Sequence, residues 1–270
     1  MDISFIGGGN MASALIGGLI AQGFDAARIR VVEISPESRE ALRARYGVQV
    51  FGGMDAAAVA ADVVVLAVKP QQLKEVATAL TPMLSRQLVV SIAAGVRAPD
   101  LARWLGGYRQ LVRVMPNTPA MVSSGMSGLY ALPEVTPAQR QQAETVLRAV
   151  GKSLWLTEET EMDAVTAVSG SGPAYVFYFM EAMQAAATEF GFTPEQARTL
   201  TLETFLGAAR LAAQSDEDAA TLRARVTSKG GTTERALANM EQAGVKAAIV
   251  QAIHAAAERS RELGDALGKD

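Results

Sequence analysis

From Met1 to about Thr157 the apolar positions fall into short runs separated by polar and glycine-bearing breaks. Asp2 to Ile6, Ile29 to Glu33, Asp62 to Ala67 and Leu88 to Ile92 predict strands, and Leu111 to Met115 and Leu154 to Thr157 predict two more. In Val63-Val64-Val65-Leu66 and Leu88-Val89-Val90 consecutive positions are apolar, where a strand with one wet face would alternate. Strands of that kind are covered on both faces, as in a parallel sheet flanked by helices. Between them, helical spacing of apolar residues predicts helices over Asn10 to Gln22, Pro36 to Arg45, Gln71 to Leu80 and Pro137 to Val150. Alternating strands and helices predict an α/β domain built on a doubly wound sheet.

From about Glu158 to Asp270 the texture changes. Ala, Leu, Met, Glu and Arg dominate, no strand pattern is present, and breaks fall at Gly191-Phe192-Thr193-Pro194, Gln214-Ser215-Asp216 and Ser228 to Thr232. Thr193-Pro194 reads as an N-cap followed by Pro at the first helical position, with Gln196 three residues after the cap. The stretch Ala174 to Ala187 is too apolar for a surface helix, and an all-helical segment with such faces buries them against a second copy of itself. The expected organisation is therefore 1–157 as an α/β domain and 158–270 as an all-α domain that makes a homodimer.

Composition narrows the function. With 49% hydrophobic and 20% charged residues the chain is a folded, globular one. A net charge of −3 argues against a nucleic-acid partner. The absence of cysteine removes disulfides, thiol nucleophiles and cysteine-ligated metals. No apolar run approaches the roughly 18 residues that span a bilayer, and Met1-Asp2 leads directly into a strand without a signal layout. The expectation is a cytoplasmic protein with no membrane partner.

The opening segment Ile3-Ser4-Phe5-Ile6-Gly7-Gly8-Gly9-Asn10-Met11-Ala12 carries the dinucleotide fingerprint of a Rossmann-type sheet, with Ala12 in the third small position. Gly7 permits the tight turn, Gly9 lets a pyrophosphate approach the backbone, and Ala12 allows the helix to pack close to the strand. At the end of the second strand Glu33 stands where an acid accepts hydrogen bonds from the adenine ribose, which favours NAD. Ser35 and Arg39 follow and could instead hold a 2′-phosphate, so the strand end supports either cofactor.

The catalytic chemistry is bounded by what is missing. The single histidine, His254, lies in an Ala-rich helix and reads as a surface or interface residue, which removes a Ser-His-Asp triad and a His-rich metal site. Hydride transfer to an imine needs no strong acid, because the nitrogen is readily protonated and a hydroxyl or water beside it suffices. Two motifs fit a small anionic acceptor: Ser169-Gly170-Ser171-Gly172-Pro173-Ala174-Tyr175, and Arg225-Val226-Thr227-Ser228-Lys229-Gly230-Gly231-Thr232-Thr233-Glu234. Amides and hydroxyls leading into a helix can bind a carboxylate, and they can equally be ordinary helix caps.

Six segments in order identify a family: FIGGGNMA from Phe5, LAVKP at Leu66 to Pro70, SIAAG at Ser91 to Gly95, VRVMPNTPA at Val112 to Ala120, DAVTAVSGSGPAY at Asp163 to Tyr175, and VTSKGGTTERAL at Val226 to Leu237. Over essentially its whole length the chain resembles pyrroline-5-carboxylate reductase. The resemblance implies reduction of L-1-pyrroline-5-carboxylate to L-proline by NADPH or NADH, in a Rossmann domain followed by a helical dimerisation domain. Members place the active site at the junction, and some form higher assemblies of dimers. Carried over by motif, Ile6, Gly7, Gly8, Gly9, Asn10 and Met11 meet the pyrophosphate, with Glu33 and Ser35 at the ribose. Ala67, Val68, Lys69, Pro70, Ala93, Ala94 and Gly95 line the cofactor, and Asn117 and Thr118 lie near the nicotinamide. Ser228, Gly231, Thr232 and Thr233 hold the substrate, a cyclic imino acid. Thr233 contacts the ring nitrogen, and Glu159 falls where members place an acid near the substrate amine.

Three departures from the family pattern bear on cofactor and substrate. Met54-Asp55 stands where members often have Asn, and Lys229 replaces a more usual Pro. Glu33-Ile34-Ser35 replaces an Asn-Arg pair suited to a 2′-phosphate, so the NADPH preference is expected to be weak or reversed. Two other readings are open to test. β-Hydroxyacid dehydrogenases share the glycine opening but use a lysine early in the helical domain, and no lysine lies between Lys152 and Lys229. Tyr175 could replace that acid, although so apolar a helix favours a core position. A nucleotide sensor without turnover would need the glycine loop but neither substrate motif.

Overall fold

The computed structural model describes residues 1–269, so Asp270, the last residue of the expected helical domain, lies outside the described residues. Packing divides the chain into two units, 1–171 together with 256–270, and 172–255.

The first unit is an eight-stranded sheet in the order β3-β2-β1-β4-β5-β6-β7-β8. Its strands are β1 (Ile3–Ile6), β2 (Ile29–Val32), β3 (Gln49–Phe51), β4 (Val63–Leu66), β5 (Leu88–Ser91), β6 (Leu111–Met115), β7 (Gly125–Ala131) and β8 (Gly151–Trp155). β3 to β6 of that order are mutually parallel; β7 is antiparallel to β6, and β8 is parallel to β7. The pairing Ile6↔Val32, Ile6↔Leu66 and Leu66↔Ser91 ends β1, β2, β4 and β5 at one level, so their following loops leave the same edge. Strand order reverses beside β1, the position at which open α/β sheets bind their ligands.

Both faces are covered, which is why the strand sequences are continuously apolar. Ile3, Phe5, Val31, Val63 and Val65 pack with Leu15, Ile16 and Leu19 of α1 (Asn10–Ala21) and with Leu147 of α5 (Pro137–Arg148). The alternate residues Ile6, Val32, Val64 and Leu66 pack on the other face with Leu73 and Leu80 of α3 (Pro70–Leu80) and Leu101 of α4 (Ala98–Trp104). α2 (Pro36–Tyr46) completes the first crossover.

Several features depart from the sequence pattern: β3 and α4 form where it predicts no element. β7 reads GMSGLYA, a loop by composition, yet Gly128 is required because a Cβ there would lie 2.7 Å from Val165 Cγ1. β8 starts at Gly151 rather than Leu154, because its pairing with β7 sets the register. The boundary between units falls at 171/172 where composition changes at 157/158, since α6 (Glu161–Val165) and a π-helical turn, Thr166–Gly170, pack with the first unit.

The second unit is helical, with α7 (Gly172–Glu189), α8 (Pro194–Ala213), α9 (Ala219–Arg225), α10 (Thr232–Gln242) and the start of α11 (Val245–Leu267). The capping box before α8 forms as expected: Gln196 N donates to Thr193 Oγ1 at 3.2 Å and Thr193 N to Gln196 Oε1 at 2.9 Å. Within 172–255 only Ala197 and Thr201 are buried, while Phe177, Tyr178, Phe190 and Leu211 are each more than half exposed. Among the described residues no helix is long and apolar enough to cross a membrane, and no cluster of three metal-ligating side chains exists.

Candidate active site

The glycine turn after β1 is held by backbone geometry. Gly7 has φ +103°, its N–H donates to Val32 O at 2.8 Å, and a Cβ would sit 2.7 Å from the Ala67 carbonyl oxygen. A side chain would therefore meet both strain and a clash. Gly9 is the N-cap of α1, no side chain caps the helix, and nothing lies within 4 Å of where its Cβ would be. Asn10 is exposed, Met11 half-buried, and Ile6 and Ala12 are buried. A twelve-residue helix thus opens its first-turn amides onto free space, the arrangement that accepts a pyrophosphate. The residues present fit a dinucleotide.

At the end of β2 the Glu33 carboxylate turns inward. Oε2 accepts from Gly8 N at 3.0 Å and Oε1 from Ser35 N at 2.9 Å. Ser35 is the N-cap of α2, its hydroxyl accepting from Ser38 N at 3.3 Å. Arg39 donates from Nη1 to the Glu33 and Ile34 carbonyls at 2.7 and 2.9 Å, and lies against Gly52. Glu33 therefore braces the glycine turn, and a carboxylate with two acceptor sites engaged keeps lone pairs for further donors.

The loops after β4 and β5 leave the same edge. Ala67 N donates to Ile6 O at 2.9 Å, Val68 is half-buried, and the exposed Lys69 is the N-cap of α3 with Pro70 at its first position. Lys69 forms no ion pair among the described residues. After β5, Ala93 N donates to Ser91 Oγ at 3.4 Å, Ala94 is exposed, and Gly95 turns with φ +78°.

Asn117 and Glu159 have internal partners that spacing could not reveal. Asn117 Nδ2 donates to Ser169 O and Oγ at 3.1 and 3.3 Å, while its Oδ1 accepts from Met126 N at 2.9 Å. The side-chain amide thus ties the turn Thr118–Val122, β7 and the π-helical turn together. Glu159 Oε1 accepts from Arg113 Nη1 at 2.9 Å and from Ala98 N, the first amide of α4, at 2.6 Å. Arg113 is buried, so this is an ion pair largely withdrawn from water. Burial, with Glu159 and Glu158 nearby, raises the Tyr130 phenol above its ordinary range.

In the second unit the hydroxyl motif forms the start of α10. Gly231 is its N-cap in extended backbone with no side-chain cap, and Thr232 and Thr233 are its first residues. Gly231 N donates to Ser228 O at 3.0 Å, and a Cβ on Gly231 would lie 2.6 Å from Ser228 Oγ. Gly230 N donates to Glu234 Oε2 at 2.7 Å. Ser228 and Lys229 are exposed, Thr233 and Tyr175 half-buried, and His254 is exposed on α11. The first unit thus gathers the nucleotide residues on one sheet edge, and the second gathers Ser228, Gly231, Thr232 and Thr233 at one helix start. Sequence reasoning missed Ser169 as the partner of Asn117 and Arg113 as the partner of Glu159; the only signal was the SGSGP motif holding Ser169.

Comparison with known proteins agrees over the full length. The family model described as pyrroline-5-carboxylate reductase dimerisation matches residues 159–263, and one described as NADP oxidoreductase coenzyme F420-dependent matches residues 2–95. A pyrroline-5-carboxylate reductase of Pseudomonas aeruginosa is 50% identical over 268 residues, covering 99% of this chain and 98% of that protein. The structure of a pyrroline-5-carboxylate reductase from Coxiella burnetii is 44% identical with a TM-score of 0.92, covering 97% of this chain and 98% of that one. A Plasmodium falciparum pyrroline carboxylate reductase with NADP bound is 27% identical with a TM-score of 0.86, covering 98% of each chain.

Proposed function

The chain belongs to the pyrroline-5-carboxylate reductase family, and from that premise we propose how its residues carry out the NAD(P)H-dependent reduction of L-1-pyrroline-5-carboxylate to L-proline. The open, uncapped start of α1 supports the pyrophosphate assignment to Gly7, Gly8, Gly9, Asn10 and Met11, beside Ile6. Glu33 and Ser35 bound the ribose, and the remaining lone pairs of Glu33 favour NADH there. Ala67 to Pro70 and Ala93 to Gly95 line the cofactor. Asn117 stands near the nicotinamide as a fixed wall, its amide already engaged.

When bound, NAD(P)H supplies the hydride that reaches the imine carbon. The substrate carboxylate is held by Ser228, Thr232 and the amides after Gly231, where an uncapped helix start favours an anion. The ring nitrogen takes up one proton from solvent as the carbon receives hydride, and the Thr233 hydroxyl contacts that nitrogen and orients its N–H. The internal bonds of Glu159 favour a supporting role over direct contact with the substrate amine. The working unit is a cytoplasmic homodimer, able to join other dimers, with 1–157 as the cofactor domain and 158–270 as the dimerisation and substrate domain. The observation that carries this reading is the exposure of large apolar side chains along α7 and α8, together with the uncapped start of α10.

The direct test follows 340 nm absorbance with purified protein, L-1-pyrroline-5-carboxylate and either NADH or NADPH. Turnover to proline with NADH at least equal to NADPH is expected. Binding of both cofactors without oxidation of either would overturn the mechanism.

A further inference from the structure

The loop after β5 is fastened from behind by the end of the last helix. Gly95 turns with φ +78°, and a Cβ placed on it would lie 3.0 Å from Leu267 Cδ1 and 3.8 Å from Leu263 Cβ. Two residues later, Arg97 is the N-cap of α4 and reaches across to α11. Its Nη1 pairs with Asp265 Oδ1 at 2.7 Å, and its Nη2 donates to Arg261 O at 3.4 Å. The guanidinium lies on Gly264, which is buried and leaves little room for a side chain: a Cβ there would be 3.1 Å from Arg97 Nε.

Neighbouring bonds hold the same helix end in place. Arg103 Nη2 donates to Gly268 O at 2.7 Å, Ser260 Oγ donates to Asp163 Oδ1 at 2.6 Å, and Leu267 packs on the core under α3 and α4. Two cations at a helix C-terminus also complement its dipole. On the other side of the loop, Ala98 N is fixed by Glu159. A five-residue run, Ala94 to Ala98, therefore has one exposed face at Ala94 and is clamped at Gly95, Arg97 and Ala98.

We propose that Arg97 is a positioning residue for the cofactor, fastening the Ala93–Gly95 loop to the last two turns of α11 so that NAD(P)H affinity depends on the chain's C-terminal helix. The proposal rests on the reading that Ala93 to Gly95 line the cofactor. Arg97 contacts α11 and acts on the cofactor only through the loop it anchors. A loop whose supporting side chains are loosened holds its ligand in a broader set of geometries, and affinity falls without a change in chemistry.

The test uses the full-length protein without substrate, titrated calorimetrically with NADPH and with NADH, alongside steady-state kinetics and melting temperature. Arg97→Ala is expected to raise Kd for both cofactors about tenfold, and the cofactor KM in parallel, with kcat at saturation little changed. Arg97→Lys, which keeps the charge but not the fork, falls between. Asp265→Asn, at an exposed residue, weakens binding about threefold and serves if Arg97→Ala does not fold. Kd values within about twofold of the parent in these variants, whatever the melting temperature does, would overturn the proposal. Ala94→Asp separates the two layers of argument. If it weakens binding while Arg97→Ala does not, only the positioning role fails; if neither variant weakens binding, the loop does not line the cofactor and both readings fall.

Discussion

The two units place their large apolar side chains in opposite surroundings. In the first, Phe5, Leu15, Leu66 and Leu101 are sealed between sheet and helices. In the second, Phe177 and Tyr178 are 60% and 74% exposed on one helix, and only Ala197 and Thr201 are buried. A helical unit that exposes so much apolar surface offers the face that the proposed homodimer would cover. The first unit closes its core within one chain, whereas the second leaves its large apolar side chains open. The family model described as NADP oxidoreductase coenzyme F420-dependent matches residues 2–95, within the unit that is closed on itself.

The largest effect should come from attacking the unfinished unit. Phe177→Asp would be nearly neutral for stability if that surface faced water. A homodimer instead predicts loss of the dimer in analytical ultracentrifugation and a fall in activity of about a hundredfold or more, the scale of losing a buried aromatic anchor. A dimeric, fully active Phe177→Asp protein would break the contrast.

Next comes the first unit's own interior. Glu159→Gln leaves Arg113 buried without its counter-charge, which should cost about 3 kcal/mol in chemical denaturation. A direct substrate role instead predicts a raised KM for pyrroline-5-carboxylate at nearly unchanged stability, so the two readings of Glu159 separate cleanly.

Much of the first unit's sheet was legible in the residues. Continuous Val and Leu runs marked β4 and β5 as doubly covered strands, and FIGGGNMA located the turn that the geometry of Gly7 requires. Local patterning failed where an element depends on distant partners. β7 contains Gly125, Gly128 and Ser127 and is a strand because β6 and β8 flank it. α4 is a seven-residue helix whose first amide is satisfied by Glu159, 61 residues away. Glu33 follows directly on β2, which ends one residue earlier than its pattern predicts, and its inward turn onto Gly8 and Ser35 is a tertiary fact.

Smaller effects refine the site on each side. Thr233→Ala should lower kcat/KM about tenfold, the scale of one charge-assisted hydrogen bond. Unchanged turnover would remove Thr233 as the nitrogen ligand. Glu33→Gln keeps one acceptor for Gly8 or Ser35 and removes the charge. A rise of about threefold in the NADPH/NADH ratio of kcat/KM is expected, because charge repulsion of a 2′-phosphate is relieved while the brace partly survives. Equal loss with both cofactors would mean that Glu33 braces the turn and does not read the ribose.

The smallest effect lies at the opposite edge of the sheet, where Asp2 meets Arg28 at 2.7 Å and Arg30 at 3.4 Å. Chiefly its hydrogen bond to Arg28 holds the Asp2 carboxyl below its ordinary range, against some desolvation. A group whose folded pKa is depressed stabilises the fold above its unfolded pKa, and that contribution fades as pH falls through the folded value. Asp2→Asn should therefore lower the melting temperature slightly at neutral pH and leave it unchanged in acid, where the parent's carboxyl is protonated as well. The difference should also shrink with added salt, since the pair is partly exposed. A difference that persists undiminished below the carboxylate range would show that Asp2 acts through hydrogen bonding alone, and the sheet's closed core would then owe nothing to this charge.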